Sequence, residues 1–139
     1  MIKARFDPKA FEKVDFVDKQ IRRVILASHM DLDREIRLGN PFDTGFSSAS
    51  WWAMANGEPS EHPNPPQKGA TYPKGGQSDV AAMLASVGGL LTLANSAPYI
   101  RRLNEGYSPQ APAGWVDALA NRYQDFVDIH ILEEKGKSP

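Results

Sequence analysis

The sequence contains no cysteine, and this absence removes several kinds of chemistry at once. Disulfide bonds, thiolate catalysis and cysteine-ligated zinc or iron–sulfur sites are all excluded. A chain without cysteine is typical of a reducing compartment.

Long apolar runs are also missing. The longest, residues 80–94, is interrupted by Ser86, two glycines and Thr92, and a transmembrane helix needs about 18 or more apolar residues. The N-terminal residues, MIKARFDPKAFEKVDF, carry charges throughout and lack the apolar run of a signal peptide. We therefore expect no contact with a membrane.

Neither sign of charge is in excess, because 16 Lys and Arg face 17 Asp and Glu, for a formal net charge of -1. Tight binding to nucleic acid depends on a surplus of Lys and Arg, so it is not expected. What remains is an ordinary globular composition, 41% hydrophobic and 24% charged, in 139 residues. That length favours a single domain spanning residues 1–139.

Helices are predicted near both ends. Asp7-Pro8 is a good helix start, and apolar residues then recur at three- and four-residue steps until Gly39 and Pro41 end the pattern. A second stripe predicts a helix over residues 113–132, and residues 133–139 are expected to be a frayed tail. The first stripe comprises Val14, Val17, Ile21, Val24 or Ile25, Ser28, Leu32 and Ile36, and the second Trp115 or Val116, Leu119, Tyr123, Phe126 or Val127, and Ile131.

Short elements are predicted between these helices. Residues 50–55 are expected to form a strand with Trp51 and Trp52 on opposite faces, one in the core and the other either packed under a helix or exposed at a subunit contact. Residues 90–94 are expected to form a buried strand, and helical segments are expected over residues 45–49 and 79–86. The fold class is therefore α+β, with a long N-terminal helix and a C-terminal helix packed on a small antiparallel sheet.

Residues 56–77 hold five prolines and four glycines, which prevent stable pairing as a central strand. The main interpretation is a long, flexible surface loop. The alternative is an arm that becomes ordered when subunits assemble.

Residues 95–114 are predicted to form a rigid connector. Pro98 suits the first position of a short helix, on which Tyr99 and Leu103 share a face. Gly106 is expected to take a positive φ and reverse the chain. Pro109 and Pro112 stiffen the exit, and Pro112 can begin the next helix.

One triplet suggests a catalytic interpretation: Asp43-Thr44-Gly45 matches the triplet of aspartic proteases. Such chemistry needs two aspartates about 3 Å apart that share one proton, so this chain would have to act as a homodimer. The flanking residues, Pro41 and Phe46, do not fit those enzymes. We favour a turn in which Asp and Thr accept backbone N–H groups, and keep the dimeric protease as the alternative.

Other catalytic or ligand-binding patterns are missing. His29, His62 and His130 show no metal-ligand spacing, and neither a nucleophile elbow nor a phosphate-binding glycine motif occurs. We therefore predict no enzyme activity, no metal and no cofactor. The pairs Arg22-Arg23 and Arg101-Arg102 are expected to be solvated.

Two motifs, in this order, resemble the neck and tail-completion proteins of long-tailed bacteriophages. The first is Asn40-Pro41-Phe42-Asp43-Thr44-Gly45 followed by Ser50-Trp51, and the second runs from Asn95 through Pro98-Tyr99 and Glu105-Gly106-Tyr107-Ser108 to Ala111-Pro112-Ala113-Gly114. The resemblance spans roughly residues 1–132. The matching positions are Asp43, Thr44, Gly45, Trp51, Asn95, Pro98, Tyr99, Glu105, Gly106, Tyr107, Ser108, Ala111, Pro112 and Gly114.

The resemblance implies a structural virion protein that joins the head to the tail or caps the tail tube, without catalysis. Its copies would form a ring, commonly of six, against tail-tube and head-connector proteins, with transient contact to DNA in the lumen. It would act in the virion, after assembly in the host cytoplasm. A small monomeric adaptor protein is a further alternative.

The matching positions would supply shape rather than chemistry. Asn95 would cap the short helix or tie its start to the strand, Gly106 would make the reversal, and Tyr107 and Pro112 would seat the last helix. The sequence departs from the family at Phe46, where an Arg often stands, and at Arg101-Arg102.

Overall fold

The structure is a computed structural model that describes residues 8–57, 61–74 and 79–137, with side chains from residue 16 onward. It combines long helices with a small two-stranded antiparallel sheet, so the α+β class is confirmed. In chain order the elements are α1 (Pro8–Gly39), α2 (Phe46–Ala49), β1 (Trp51–Ala55), α3 (Val80–Ala85), β2 (Leu91–Asn95), α4 (Ile100–Asn104), α5 (Trp115–Asn121) and α6 (Tyr123–Glu134).

The predicted long helix is present as α1, with 32 residues. Asp7 is expected to cap α1, and Ser78 is expected to cap the helix predicted over residues 79–86; both residues lie outside the described ranges. The apolar stripe is buried only along part of the helix: Val24 is 7% exposed, whereas Ile21 is 52% exposed. The reason is that α6 ends opposite this part of α1, where Gln20 donates a hydrogen bond to the Glu134 carbonyl at 3.1 Å.

The two strands pair from Trp51 with Asn95 to Ala55 with Leu91. β2 begins one residue later than predicted and is half-buried throughout, so the expectation of a buried strand was wrong. Trp51 and Trp52 are both 7% exposed, which contradicts the interpretation that one of them is exposed for a subunit contact.

The core lies where the C-terminal half of α1 meets β1 and α5. Its buried members are Ile36, Trp51, Ala111 and Trp115, and partly buried apolar residues surround them. Ala111 comes from the connector, so the connector is anchored in the core rather than laid over it.

The predicted last helix is two helices. The Arg122 N–H bonds to the Leu119 carbonyl at 3.1 Å, a three-residue spacing that tightens the chain between α5 and α6. α5 packs over Gly39, while α6 runs antiparallel to α1 toward Arg23. α6 also continues through Glu134, two residues into the segment expected to be frayed, because the Arg23 guanidinium binds the Glu134 carboxylate at 3.0 Å.

Within the residues that the structure describes, no helix combines the length and apolar character needed to cross a membrane.

Candidate functional site: the junction of the two motifs

The two motifs, far apart in the sequence, lie side by side in the fold. The Gln110 amide accepts the Phe42 N–H at 2.8 Å and donates to the Phe42 carbonyl at 2.9 Å. The Asn95 amide donates to the Ser47 carbonyl at 2.8 Å. Between the motifs lies a cavity of about 270 Å³, and we call its lining the motif junction: residues 41–47, Tyr99, Leu103, Ser108 and Gln110.

The turn formed by Asp43, Thr44 and Gly45 is held by Tyr72, which belongs to the loop over residues 56–77. We call this segment the Pro-rich loop. The Tyr72 N–H donates to the Thr44 carbonyl at 2.7 Å. Gly45 has φ 86°, and a Cβ at this position would collide with the Tyr72 carbonyl oxygen. The Thr44 hydroxyl accepts the first helical N–H, that of Phe46, at 3.4 Å, so the predicted turn chemistry falls to Thr44. Gly45 is required by both its conformation and its neighbour.

Asn95 connects the end of β2 to both motifs. Its Oδ1 accepts the Ala97 N–H at 2.8 Å, while its amide nitrogen reaches Ser47. The sequence predicted Pro98 at the first position of the short helix. That prediction was wrong, because α4 begins only at Ile100 and Pro98 lies ahead of it.

The reversal after α4 depends on Gly106, which has φ 92° and lies against Ala113. Sequence reasoning missed its neighbour Asn104. The Asn104 Oδ1 accepts the Val116 N–H at 2.9 Å, and its amide donates to Asp117 at 3.1 Å. The end of α4 therefore caps the start of α5, a nonlocal contact for which no local spacing gives a signal.

Tyr107 does not seat the last helix, because it is 73% exposed. The backbone reversal turns it outward, and its N–H bonds to the Arg102 carbonyl at 3.2 Å. Pro112 is exposed as well, and the buried residue of this stretch is Ala111. The structure thus divides the predicted positions among three places: the junction (Asp43, Thr44, Gly45, Tyr99, Ser108, with Asn95 bracing it and Pro98 beside it), the core (Trp51, Ala111) and the reversal (Glu105, Gly106, Tyr107, Pro112, Gly114).

Titratable chemistry at the motif junction is sparse. Asp43 is exposed and is the only carboxylate among the described residues that line the cavity. Burial raises the pKa of the Tyr99 hydroxyl, a hydrogen bond with Ser47 opposes this, and the nearby Asp43 charge raises it further. No group of three metal-ligating side chains occurs in the described part of the chain.

A second polar cluster, also missed from the sequence, lies beneath a cavity of about 850 Å³ that the Pro-rich loop covers. Arg37 and Asp33, both buried, pair at 2.9 Å, and the same guanidinium lies 3.4 Å from Asp79. Asp79 in turn accepts the Ala53 N–H at 2.7 Å, on the edge of β1 away from β2. The four-residue spacing of Asp33 and Arg37 was the available signal.

Trp52 and His62 form the contact between β1 and this loop, with ring centroids 4.9 Å apart. Burial lowers the pKa of His62, and the Arg37 charge lowers it further against the opposing effect of Asp79. Neither Trp52 Nε1 nor His62 Nε2 has a hydrogen-bond partner within the described ranges. The contact of His62 with Trp52 and the hydrogen bond of Tyr72 to Thr44 show that the described part of the loop packs on the rest of the chain.

Taken together, these residues form backbone turns that are fixed by glycines and hydrogen bonds, with exposed aromatic side chains beside them. The side-chain amides of Gln110, Asn95 and Asn104 bond to backbone groups, and that of Asn104 also bonds to Asp117. No protein-family model matches this chain, and comparison with curated proteins and with solved structures gave no significant match either.

Proposed function

We propose that this chain is a structural virion protein of a long-tailed phage or prophage. It joins the head to the tail, or caps the tail tube, by assembling as a ring of identical copies, with six as the expected number. It acts without catalysis, its partners are tail-tube and head-connector proteins, and it passes from the host cytoplasm into the virion.

The observation that carries this proposal is the convergence of the two motifs on one surface. The Gln110 amide clamps the Phe42 backbone through both of its polar atoms, and Gly45 and Gly106 each hold a backbone conformation that other residues rarely adopt. A surface whose turns have a fixed backbone conformation suits repeated contacts between identical subunits, because such contacts depend on shape complementarity and not on reactive groups.

A deletion in the phage or prophage that encodes the chain tests the proposal. We expect the mutant to accumulate filled heads and separate tails in electron micrographs, with infectivity restored by the gene in trans. Intact, infectious virions that lack the polypeptide would contradict the proposal.

Purified protein supplies a second test. Light scattering, with the protein alone and with isolated tails, should show a ring under at least one of these conditions. A monomer that binds one partner at 1:1 would support the adaptor alternative. Cleavage of casein that is lost in Asp43→Asn would support the dimeric protease, since Asp43 is exposed and could meet its copy.

A further inference from the structure

An apolar groove between α1 and α6 is left open on the described part of the chain. We define the α1/α6 groove by Val17, Ile21 and Ile25 of α1 and Val127 and Ile131 of α6, which line about 330 Å³ together with neighbouring polar residues. Val17 and Ile21 are 50% and 52% exposed. The groove exists because α6 ends opposite this section of α1.

The most exposed aromatic residue on the described surface is Tyr107, at 73%. Its backbone is fixed by Gly106 and by the hydrogen bond to Arg102. Arg101 and Arg102 are exposed beside it. We call these three residues the Tyr107 patch. A large aromatic side chain on a rigid backbone, flanked by arginine, has the composition of an interface hot spot.

The Tyr107 patch lies near the C-terminal end of α1, whereas the α1/α6 groove lies near the middle of that helix. The patch adjoins the start of α5, which packs on Gly39, whereas the groove is centred near Ile21. Along α1 these points are about 27 Å apart. Tyr107 therefore cannot fill the groove of its own chain, but it can fill that of another copy.

The charges of the two surfaces are complementary. α4 contains Arg101 and Arg102 and no acidic residue. Of the four carboxylates of α6, Glu133 and Glu134 already pair with His130 and Arg23, and Lys135 balances Glu134 in the groove lining, so Asp125 and Asp128 are the two that are left to face the arginines. Asp128 precedes the groove residue Ile131 by three positions, so it lies on the same side of α6.

We propose that copies of this chain join head to tail, with Tyr107 of one copy inserted into the α1/α6 groove of the next. Arg101 and Arg102 of the first copy then face the acidic side of α6 on the second. This contact rests on the proposed function and deepens it, because two different patches per chain give a heterologous interface, which forms a ring when the rotation between neighbouring copies closes and an open filament when it does not. It also gives a role to the arginine pair at which the sequence departs from the phage family.

Two variants that each break one side of the contact provide the test. Tyr107→Ser keeps the groove, and Ile21→Glu keeps the Tyr107 patch. Neither should form rings alone. Mixed at 1:1, they should form a dimer that grows no further, because the mixture contains one intact patch and one intact groove per pair. Sedimentation velocity measures each variant alone and the mixture of the two. Isolated tails are added if the wild type assembles only in their presence.

Leu84→Glu is the matched control, because Leu84 is 55% exposed on α3, away from both surfaces, and this variant should assemble like the wild type. Circular dichroism checks that each variant melts like the wild type. If one does not, Arg101→Glu/Arg102→Glu replaces it. That variant should weaken assembly about tenfold or more, and Asp125→Lys/Asp128→Lys on the adjoining copy should restore it.

The outcomes separate the two proposals. A wild type that is monomeric both alone and with tails overturns the ring and this contact together. A wild-type ring that both variants also form overturns the contact and leaves the ring standing. Variants that fail singly and stay monomeric on mixing overturn the head-to-tail pairing.

Discussion

At the scale of single residues, Gly45 shows how conformation and close packing act together. Its φ of 86° would strain any other residue, and the Tyr72 backbone leaves no room for a Cβ. Gly88 is the matched control, because it has φ 87° and a Cβ added there would meet nothing within 4 Å. Gly88→Ala should cost about 1–2 kcal/mol of unfolding free energy, and Gly45→Ala about 1–3 kcal/mol more. Urea denaturation of both variants measures the difference, and equal losses would show that Tyr72 and the Phe42 ring move aside for the added Cβ without cost.

Arg37 and Arg34 differ in burial although they lie on the same helix. The Arg37 side chain is 4% exposed and pairs with the buried Asp33, whereas the Arg34 side chain is 58% exposed and pairs with Asp31. Arg37→Met leaves a buried carboxylate uncompensated and should destabilise the fold by about 3–5 kcal/mol. Arg34→Met should change stability by about 0.5 kcal/mol or less.

The double variant Arg37→Met/Asp33→Leu distinguishes loss of charge pairing from loss of packing. It should recover part of the stability lost in Arg37→Met, because no buried charge is then left without its partner. A double variant that is as unstable as the single one would assign the loss to packing, or to the contact of Arg37 with Asp79.

At the scale of elements, a histidine fastens α6 to α1. His130 Nδ1 lies 2.9 Å from Glu133, and Nε2 makes a short contact with Asp31, which also binds Arg34. Burial lowers the pKa of His130, but the hydrogen bonds to Asp31 and Glu133 outweigh it and the net pKa is raised. The protonated clasp therefore stabilises the fold fully below the unfolded pKa of about 6.5, and this contribution is lost as pH rises through the higher folded pKa.

His130→Gln should accordingly be less stable than the wild type near pH 5.5, with the difference shrinking as pH rises through the raised folded pKa of His130. Thermal melts across this range measure it. Burial lowers the pKa values of His29 and His62, so their effect on stability has the opposite sign, but both proteins contain them and the difference cancels their contribution. A difference that grows with pH would contradict the clasp.

The elements also show what could be predicted from the sequence. Periodicity and the stop at Gly39 located α1, and the positive φ of Gly106 followed from its place after a short helix. The break between α5 and α6 was missed because the apolar stripe continues across Arg122, while the two halves pack against different parts of α1. Local pattern reports which face is apolar but not which neighbour covers it.

At the scale of the whole molecule, the sequence predicted the two turns of the site but not the contact between them. The two motifs could be interpreted as corners, but their contact through Gln110 and Phe42 depends on tertiary packing, as does the cap that Asn104 gives to α5. Tyr107 was expected to seat the last helix because of its place in the second motif of the resemblance, and its exposure follows from the direction in which the chain leaves Gly106. Contacts made across the fold leave no spacing to detect in the sequence.

The Pro-rich loop provides the last test, because the absence of cysteine allows a single disulfide to be introduced cleanly. The Tyr72 N–H and the Thr44 carbonyl oxygen are 2.7 Å apart, so the two backbones touch at this point, and a disulfide joins residues whose backbones come this close. Thr44→Cys/Tyr72→Cys should therefore lock the loop to the Asp-Thr-Gly turn. Closing a segment of about 29 residues should stabilise the oxidised protein by about 3–4 kcal/mol over its reduced form.

The reduced form of the same variant is the control for assembly. The proposed head-to-tail contact would use the Tyr107 patch and the α1/α6 groove, and neither surface includes the loop residues that pack on Trp52. Oxidised and reduced protein should therefore form rings equally well in sedimentation velocity. Assembly by the reduced form alone would show that the loop must first move away from Trp52. It would then favour the interpretation of residues 56–77 as an arm that becomes ordered when subunits assemble.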